Sequence, residues 1–326
     1  MKIEAEPYRL ELKRPFKLAI GTRNHTEVVY IRLTSNGLTT VGESSLPPYL
    51  GESVASVLAF AQGIDPTKLN PENLAASKAY LDYFAQGNLA AKAGVEMALV
   101  SMAAQMQSKT IGEFFGIVDR PIETSYTIGI SSKTEMADKI EEAEPFKTLK
   151  LKLGSDDDLE LLLNFREMTN KPFSVDVNQG WGSLEMAMPI VRLLEEMKCL
   201  FIEQPFNAAD IAVHARLKAA TELPIFADES IKRWIDLTEH ATAFDGVVVK
   251  LMKSTGSIEA VEMLREAKRL GLKTVMGCMA ESSVSVAVAR AIAPIADYAD
   301  LDGPFLTKGD PYVNIFYRDG RVELVE

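Results

Sequence analysis

Short alternating stretches open the chain: YRLEL, then VVYIRLT, then a turn at Ser35-Asn36-Gly37 leading to LTTVGES. Apolar and polar residues taking turns, with turn chemistry between the runs, predict an antiparallel three-stranded meander. From Ser53 the period lengthens. Val54, Val57, Leu58 and Ala61 share one helical face, a second helical segment runs from Leu74 to Phe84, and Leu89 to Met106 reads as a long, Ala- and Met-rich buried helix. Strands followed by helices predict a separate α+β unit.

Beyond Arg120 the pattern changes to short β-rich runs separated by amphipathic segments. Seven runs stand out: ETSYTI, FKTLKLKL, FSVDVN, CLFIEQ, PIFADES, GVVVKL and KTVMGCM. Repeated βα units imply a parallel sheet, either doubly wound or closed as a barrel. No Gly-rich phosphate fingerprint follows any run, which disfavours a dinucleotide-binding sheet and favours the barrel. The last segment, NIFYRDGRVELV, reads as a hairpin turning at Asp319-Gly320, expected to pair with the N-terminal strands.

Length and composition narrow the function. A chain of 326 residues allows two domains or one large barrel, and 47% hydrophobic with 25% charged residues is ordinary globular composition. The excess of 46 acidic over 35 basic residues, a net charge of -11, repels nucleic acid and anionic membrane surfaces and suits a small-molecule substrate. Only Cys199 and Cys278 are present, too few for a disulfide framework, so a reducing cytoplasm is the expected setting. The start, MKIEAEPYRLELKR, has no apolar core of the secretory kind. The longest apolar region, Val284 to Ala296, is broken by Ser285, Arg290 and Pro294, so neither export nor membrane insertion is expected. Assembly into a homo-oligomer stays open.

In a parallel barrel, catalytic side chains project from the C-terminal ends of the strands. Charged residues close five of the runs: Lys150 and Lys152 in LKLKLG, Asp176 in SVDVN, Glu203 in FIEQP, Asp228 in FADES and Lys250 in VVVKL. The gaps from Asp176 onward are 27, 25 and 22 residues, each about one βα unit, so successive strands place these groups around one mouth. Three carboxylates offer hard oxygen donors suited to Mg²⁺, whereas three histidines without ligand spacing argue against zinc. A single strand-end acid is more often a helix cap; the run of three points to a cation. Lys150 and Lys152, two apart on a strand, face the same way, and their mutual repulsion is expected to lower the pKa of at least one and free an amine base. Lysines alternating with leucines also describe a solvated edge strand. Lys250, placed two strands beyond the Asp228 strand and so across the metal, favours the catalytic reading.

The order KxK, Asp, Glu, Asp, Lys, with FADES around the third carboxylate, resembles the muconate-lactonizing subgroup of the enolase superfamily, and the resemblance covers essentially the whole chain. It implies an α/β fold: a modified (β/α)7β TIM-type barrel over residues 121–302, with an N-terminal α+β capping domain over residues 1–120 completed by 303–326. It also implies one Mg²⁺ per subunit held by Asp176, Glu203 and Asp228, with Lys152 and Lys250 as the acid-base pair and Lys150 assisting the substrate carboxylate. A proton beside a carboxylate is very weakly acidic, because its removal places a second negative charge on the same group, so the enediolate needs electrostatic support. Lysine bases working with Mg²⁺ are the general pattern of such sites.

Near the barrel's end, Asp300 and Asp302 in ADLDGP resemble the paired carboxylates with which dipeptide epimerases hold the substrate ammonium; a turn built on Asp-Gly-Pro is the structural alternative. Cys278, Met279 and Glu281 in GCMAES resemble the penultimate strand end of those enzymes and are expected to line the dipeptide site, with Thr127 a further substrate contact. Two capping loops, Phe16 to Thr26 and Ser45 to Glu52, are expected to choose the substrate. Arg23 lies where a Glu side-chain carboxylate would need it, although alignment from RPFKLAI puts the arginine position of one Glu-specific group on Gly21. The implied activity is epimerisation at the α-carbon of the C-terminal residue of a dipeptide, Ala-Glu or Ala with a small or apolar residue. A muconate cycloisomerase or o-succinylbenzoate synthase of the same subgroup is the alternative, since neither needs Asp300 and Asp302 for an ammonium; a non-catalytic metal- and ligand-binding barrel is the second. Elsewhere, Asp156 to Asp158 reads as a helix-start charge cluster, Trp181 as packing or site wall, and Asn178 as a group supporting the metal site.

Overall fold

The opening alternation becomes a meander of β1 (Lys2–Leu18), β2 (Gly21–Ser35) and β3 (Leu38–Ser45), longer than the runs that announced it. The computed structural model describes residues 1–18 and 21–325; Ala19 and Ile20, inside the predicted Phe16 to Thr26 loop, lie outside the described residues. Asn36 and Gly37 both take positive φ, 51° and 80°, the geometry a tight hairpin turn requires. The VVYI run of β2 is apolar without a break because both of its faces are covered. Val29, Ile31 and Leu33 pack into one core with Val57 and Val95, while Val28 and Tyr30 meet Leu10 and Val284 on the other side.

Helices α1 (Val54–Gly63), α2 (Leu74–Phe84) and α3 (Leu89–Met106) occupy the predicted segments. Ser53 and Asn73 cap the first two, accepting from the backbone amides of Ser56 and Ala76. Asn88 gives α3 no such cap; Glu52 instead accepts from the amides of Ala90 and Ala91 at 2.8 and 3.0 Å. α3 is buried on nearly every side along its length, Lys92 and Glu96 included. It approaches β3 so closely that a Cβ on Gly42 would sit 2.0 Å from the carbonyl oxygen of Gly94, which explains two glycines at an otherwise regular contact.

A short helix α4 (Ile111–Phe114) precedes the barrel. Its strands are β5 (Ser125–Ile128), β6 (Thr148–Lys152), β7 (Phe173–Asp176), β8 (Ile202–Glu203), β9 (Ile225–Ala227), β10 (Gly246–Lys250), β11 (Lys273–Gly277) and β12 (Tyr298–Asp300), while β4 (Ile122–Glu123) stands just before them. The eight lie in chain order, and every neighbouring pair is parallel. Helices α5 (Lys133–Glu142), α6 (Asp158–Met168), α7 (Leu184–Glu196), α8 (Ile211–Ala220), α9 (Trp234–His240), α10 (Ser257–Arg269) and α11 (Ser283–Ile292) fill the seven crossovers, giving seven βα units and a final strand. The eighth strand is three residues long and half exposed, too weak a pattern to stand out beside the seven runs. Side chains bridge the seam between β12 and β5: Ser125 Oγ donates to Asp300 Oδ1 at 2.6 Å, and the Leu301 amide donates to Thr124 Oγ1 at 2.7 Å.

The chain closes with α12 (Gly303–Leu306), β13 (Thr307–Lys308), β14 (Ile315–Arg318) and β15 (Arg321–Leu324). The hairpin turns at Asp319 and Gly320, both at positive φ, as the sequence predicts, but its partner differs from the predicted one. β15 pairs with β4, beneath the barrel, and it is β13 that joins β1. The ETSYTI run is accordingly split at Thr124, its first half serving the hairpin and its second the barrel. No helix among the described residues is long and apolar enough to cross a membrane; Val284 to Ala296 is α11 and its following turn.

Carboxylates of the cap lock the two parts together. Glu96 of α3 accepts from the amides of Ser257 and Ile258 at 2.8 and 2.7 Å, and Glu43 of β3 accepts from the amides of Ser282 and Ser285 at 2.9 and 3.2 Å. Each therefore satisfies the orphan donors at the start of a barrel helix, α10 or α11. Their burial pushes both carboxyls up to about 7.

Candidate active site

Register decides which side chains meet at the mouth of the barrel. Lys152 stands opposite Asp176, and Asp176 opposite Glu203, so the ends of β6, β7 and β8 present these three at one level. Lys250, Gly277 and Asp300 form the same kind of row across β10, β11 and β12. Gly277 keeps that row open, since a Cβ there would lie 3.1 Å from Cε of Lys250. One layer lower, Lys150 aligns with Thr127.

Ligand oxygens of Asp176, Glu203 and Asp228 lie within 4.8 Å of one another, and all three residues are buried. Four ammoniums surround them. Lys150 Nζ reaches Asp176, Glu203 and Asp300 at 3.1, 2.8 and 2.8 Å. Lys152 Nζ donates to Asp176 Oδ2 at 2.6 Å and to Asn178 Oδ1 at 3.0 Å. Lys250 Nζ donates to Asp228 Oδ2 at 2.8 Å, and Lys253 Nζ to Asp228 Oδ1 at 2.6 Å. β10 is the immediate neighbour of β9, so Lys250 is one strand beyond Asp228, not two; βα spacing alone requires this. The opposition to Lys152 survives the correction. Counting round the eight strands, β6 and β10 are four apart in either direction, on opposite sides of the barrel axis.

At Lys150 the neighbouring carboxylates decide the charge. Burial alone would lower the Lys150 ammonium, but Asp176, Asp300 and Glu203 override it and hold its pKa well above the ordinary value. Lys250 is raised in the same way, burial being outweighed chiefly by Asp228. The expected lowering by Lys150–Lys152 repulsion is therefore not seen at Lys150, because a carboxylate stands between the two amines. Glu203 is pushed well above the carboxylate range, first by burial and then by the charge of Asp176. Asp176 and Asp228 are held low against their own burial by the lysines. Three hard oxygen donors, without His or Cys, and a mutual repulsion that a dication would relieve make a set that fits Mg²⁺.

Above this floor lies a cavity of about 110 Å³. Thr127, Lys150, Lys152, Lys250, Asp300 and Asp302 line its barrel side, joined by Cys278 and Met279. Phe16, Arg23, Ser45 and Tyr49 close it from the two capping loops named by the sequence. Asp302 Oδ2 accepts from the Thr127 amide at 2.6 Å; burial, and then the charge of Asp300, raise its carboxyl to about 7. Arg23 has no carboxylate partner among the described residues. Glu281, by contrast, lies outside the cavity wall: it is buried behind Cys278, accepts from Ser285 Oγ at 2.9 Å, and has an unpartnered Oε2. A second cavity of about 360 Å³ opens at the opposite, N-terminal end of the strands, and Lys150 and Asp300 form the floor between the two.

Several site residues escaped the sequence. Lys253 follows Lys250 by three residues in a buried LMKS turn, and a lysine in so apolar a setting was the available signal. Glu229, inside FADES, and His25 and Tyr49, inside the two capping loops, also line the cavity, although none stands out individually in the sequence. Asn178, at positive φ, donates its amide to Asp176 Oδ1 at 3.0 Å and supports both that carboxylate and Lys152. Trp181 proves to be packing, its Nε1 donating to Asp158 Oδ2 at 2.9 Å, and Asp158 also gathers the Gly154 and Ser155 amides at the start of α6.

Known proteins share this fold. Residues 134–325 match the enolase C-terminal domain-like family model, and residues 2–116 match the N-terminal domain model of mandelate racemase / muconate lactonizing enzyme. An L-Ala-D/L-Glu epimerase of Bacteroides thetaiotaomicron is 35% identical over 327 residues, covering 99% of this chain and 85% of the relative. The substrate-liganded L-Ala-D/L-Glu epimerase from Bacillus subtilis has TM-score 0.95 at 28% identity, covering 100% of this chain and 96% of its own. A dipeptide epimerase from Cytophaga hutchinsonii, complexed with Mg and D-Ala-L-Val, has TM-score 0.92 at 28% identity, covering 99% and 92%. Matched in both its parts, the chain belongs to the mandelate racemase and muconate lactonizing enzyme family of the enolase superfamily.

Proposed function

We propose that the protein is a Mg²⁺-dependent dipeptide epimerase that inverts the α-carbon of the C-terminal residue. The observation that carries this reading is the placement of Lys152 and Lys250 on opposite sides of the barrel axis, with three clustered carboxylates between them. In this reading Lys152 takes the α-proton from one face of the substrate and Lys250 returns a proton to the other, so the planar enediolate between the two steps is protonated with inversion. The reverse reaction exchanges their roles. Lys150 donates to the substrate carboxylate, where negative charge grows as the proton leaves. Asp176, Glu203 and Asp228 would hold a single Mg²⁺, which would supply positive charge at that carboxylate and offset the carboxylate charge that raises Lys150 and Lys250.

Asp300 and Asp302 receive the substrate ammonium, which separates this chemistry from cycloisomerisation of substrates that lack one. Asp302 keeps an oxygen turned to the cavity beyond its bond to Thr127, and Cys278, Met279 and Thr127 shape the wall around it. Arg23, partly buried at the cavity and without an acidic partner among the described residues, favours an acidic C-terminal residue, so Ala-Glu heads the order of substrates. Two buried free thiols suit a reducing cytoplasm.

Incubation with Mg²⁺ and a dipeptide library in deuterated water tests the reading. Epimerised products one mass unit heavier are expected, with Ala-Glu among the fastest, and Arg23→Ala should move preference toward apolar second residues. Absence of α-proton exchange on every dipeptide would remove the proposed activity.

A further inference from the structure

Lys253 is the one lysine of the four around the carboxylates that does not reach the cavity. It is 0% exposed, and its Nζ is surrounded by oxygen: Asp228 Oδ1 and the Asp228 carbonyl, both at 2.6 Å, the Val248 carbonyl at 2.8 Å and the Ile231 carbonyl at 3.1 Å. An ammonium has only three hydrogens to donate, so this position is fully committed to protein oxygens. It has no freedom to act on a substrate. Lys250, on the other oxygen of Asp228, does face the cavity.

We infer that Lys253 is a positioning residue that reserves one oxygen of Asp228 for the protein and so tunes the carboxylate site for Mg²⁺ against larger dications. The inference rests on the reading above, in which Asp176, Glu203 and Asp228 hold a divalent cation. Asp176 is treated alike, its Oδ1 being taken by the Asn178 amide at 3.0 Å. The oxygen left on each faces the lysines of the site, Asp176 Oδ2 meeting Lys150 and Lys152 and Asp228 Oδ2 meeting Lys250, so a cation that displaces those ammoniums gains one oxygen from each of these two carboxylates. Mg²⁺ takes six ligands at short distance and is content with one oxygen per carboxylate, whereas Ca²⁺ takes six to eight and gains from carboxylates that contribute both. Lys253 withholds the second oxygen by a bond between buried groups, so exchanging it would require breaking a charge-assisted contact that solvent cannot replace.

Titration calorimetry with Mg²⁺, Mn²⁺ and Ca²⁺ and no substrate tests this directly. Wild-type affinity should fall by ~10-fold or more from Mg²⁺ to Ca²⁺. Lys253→Met, which keeps the length of the side chain and removes the ammonium, should bind every dication more tightly, and its Ca²⁺-to-Mg²⁺ affinity ratio should rise at least ~10-fold over wild type. An unchanged ratio in Lys253→Met overturns the role given to Lys253 and leaves the metal reading intact; failure of wild type to bind Mg²⁺ overturns both. Should Lys253→Met not fold, the wild-type series still decides, because Ca²⁺ binding as tightly as Mg²⁺ contradicts a carboxylate held to one oxygen.

Discussion

Lys152 and Lys250 donate to different carboxylates, Asp176 and Asp228, at 2.6 and 2.8 Å, with Glu203 on the strand between those two. A substrate carboxylate brought to the cation site would therefore have an amine on each side of it. Replacing either lysine by Ala should reduce epimerisation by ~10²-fold or more. Each variant should still exchange the α-proton of one epimer and not the other, with opposite preferences. Mass spectrometry of L,L and L,D dipeptides in deuterated water distinguishes this from a general loss of activity, and identical preferences in the two variants would contradict the two-sided arrangement.

Asp302 must be ionised to receive an ammonium, and its carboxyl lies at about 7 through burial and the charge of Asp300. Lowering the pH below that value protonates it, so KM for dipeptides should rise as pH falls while a dipeptide acetylated at its amino group shows no such trend. Asp302→Asn should raise KM for free dipeptides by an amount on the order of 2 kcal/mol or more and flatten the pH profile. Steady-state kinetics with both substrates reads the difference.

Glu203 is a stability cost when no cation is bound, because burial and Asp176 both oppose its charge. Glu203→Gln should unfold at the same or a higher temperature than wild type in chelator. With Mg²⁺ at a hundred times its dissociation constant wild type should gain about 2.7 kcal/mol, and the variant little. Thermal melts with and without Mg²⁺ measure both terms; a variant that melts well below wild type in chelator would argue that Glu203 is stabilising on its own.

Glu96 has a folded-state pKa of about 7 against a reference of 4.5, so between those values the native state binds more protons than the unfolded chain. Its contribution to stability is fully present below the lower value and is lost as pH rises through the upper one, on the order of 3 kcal/mol in all. The stability of wild type relative to Glu96→Gln should therefore decline from about pH 5 to about pH 8. Melting curves of the two proteins across that range give the slope, and wild type gaining stability relative to the variant as pH rises has the wrong sign.

Much of this molecule was legible because its chemistry repeats with its fold. Each βα unit ends a strand at a predictable interval, so Asp176, Glu203 and Asp228 announced a common mouth before any contact was known. The β2 run was legible as a strand, though not the reason for its unbroken apolarity, which is cover on both faces. What the sequence could not convey were partnerships between distant segments. The closing hairpin was recognisable from Asp319-Gly320, but which edge it joins depends on β4, a two-residue strand with no pattern of its own. Glu43 and Glu96 looked like ordinary acids of a strand and a helix, since the amides they satisfy lie 239 and 161 residues away. Lys253 was hidden for a related reason: three of its four partners are backbone carbonyls, which carry no residue type.

The glutamates that cap the starts of α10 and α11 from across the interface bear on how such proteins diversify. Cavity walls contributed by Phe16, Arg23 and Tyr49 can be exchanged one side chain at a time, letting new substrates in while the proton-transfer apparatus stays untouched. Wholesale transplantation of the N-terminal half from a cousin is another matter. A graft that lacked an acid at either junction would leave bare amides in a dry seam, so inherited recombination should favour blocks that keep Glu43 with Ser282 and Glu96 with Ser257.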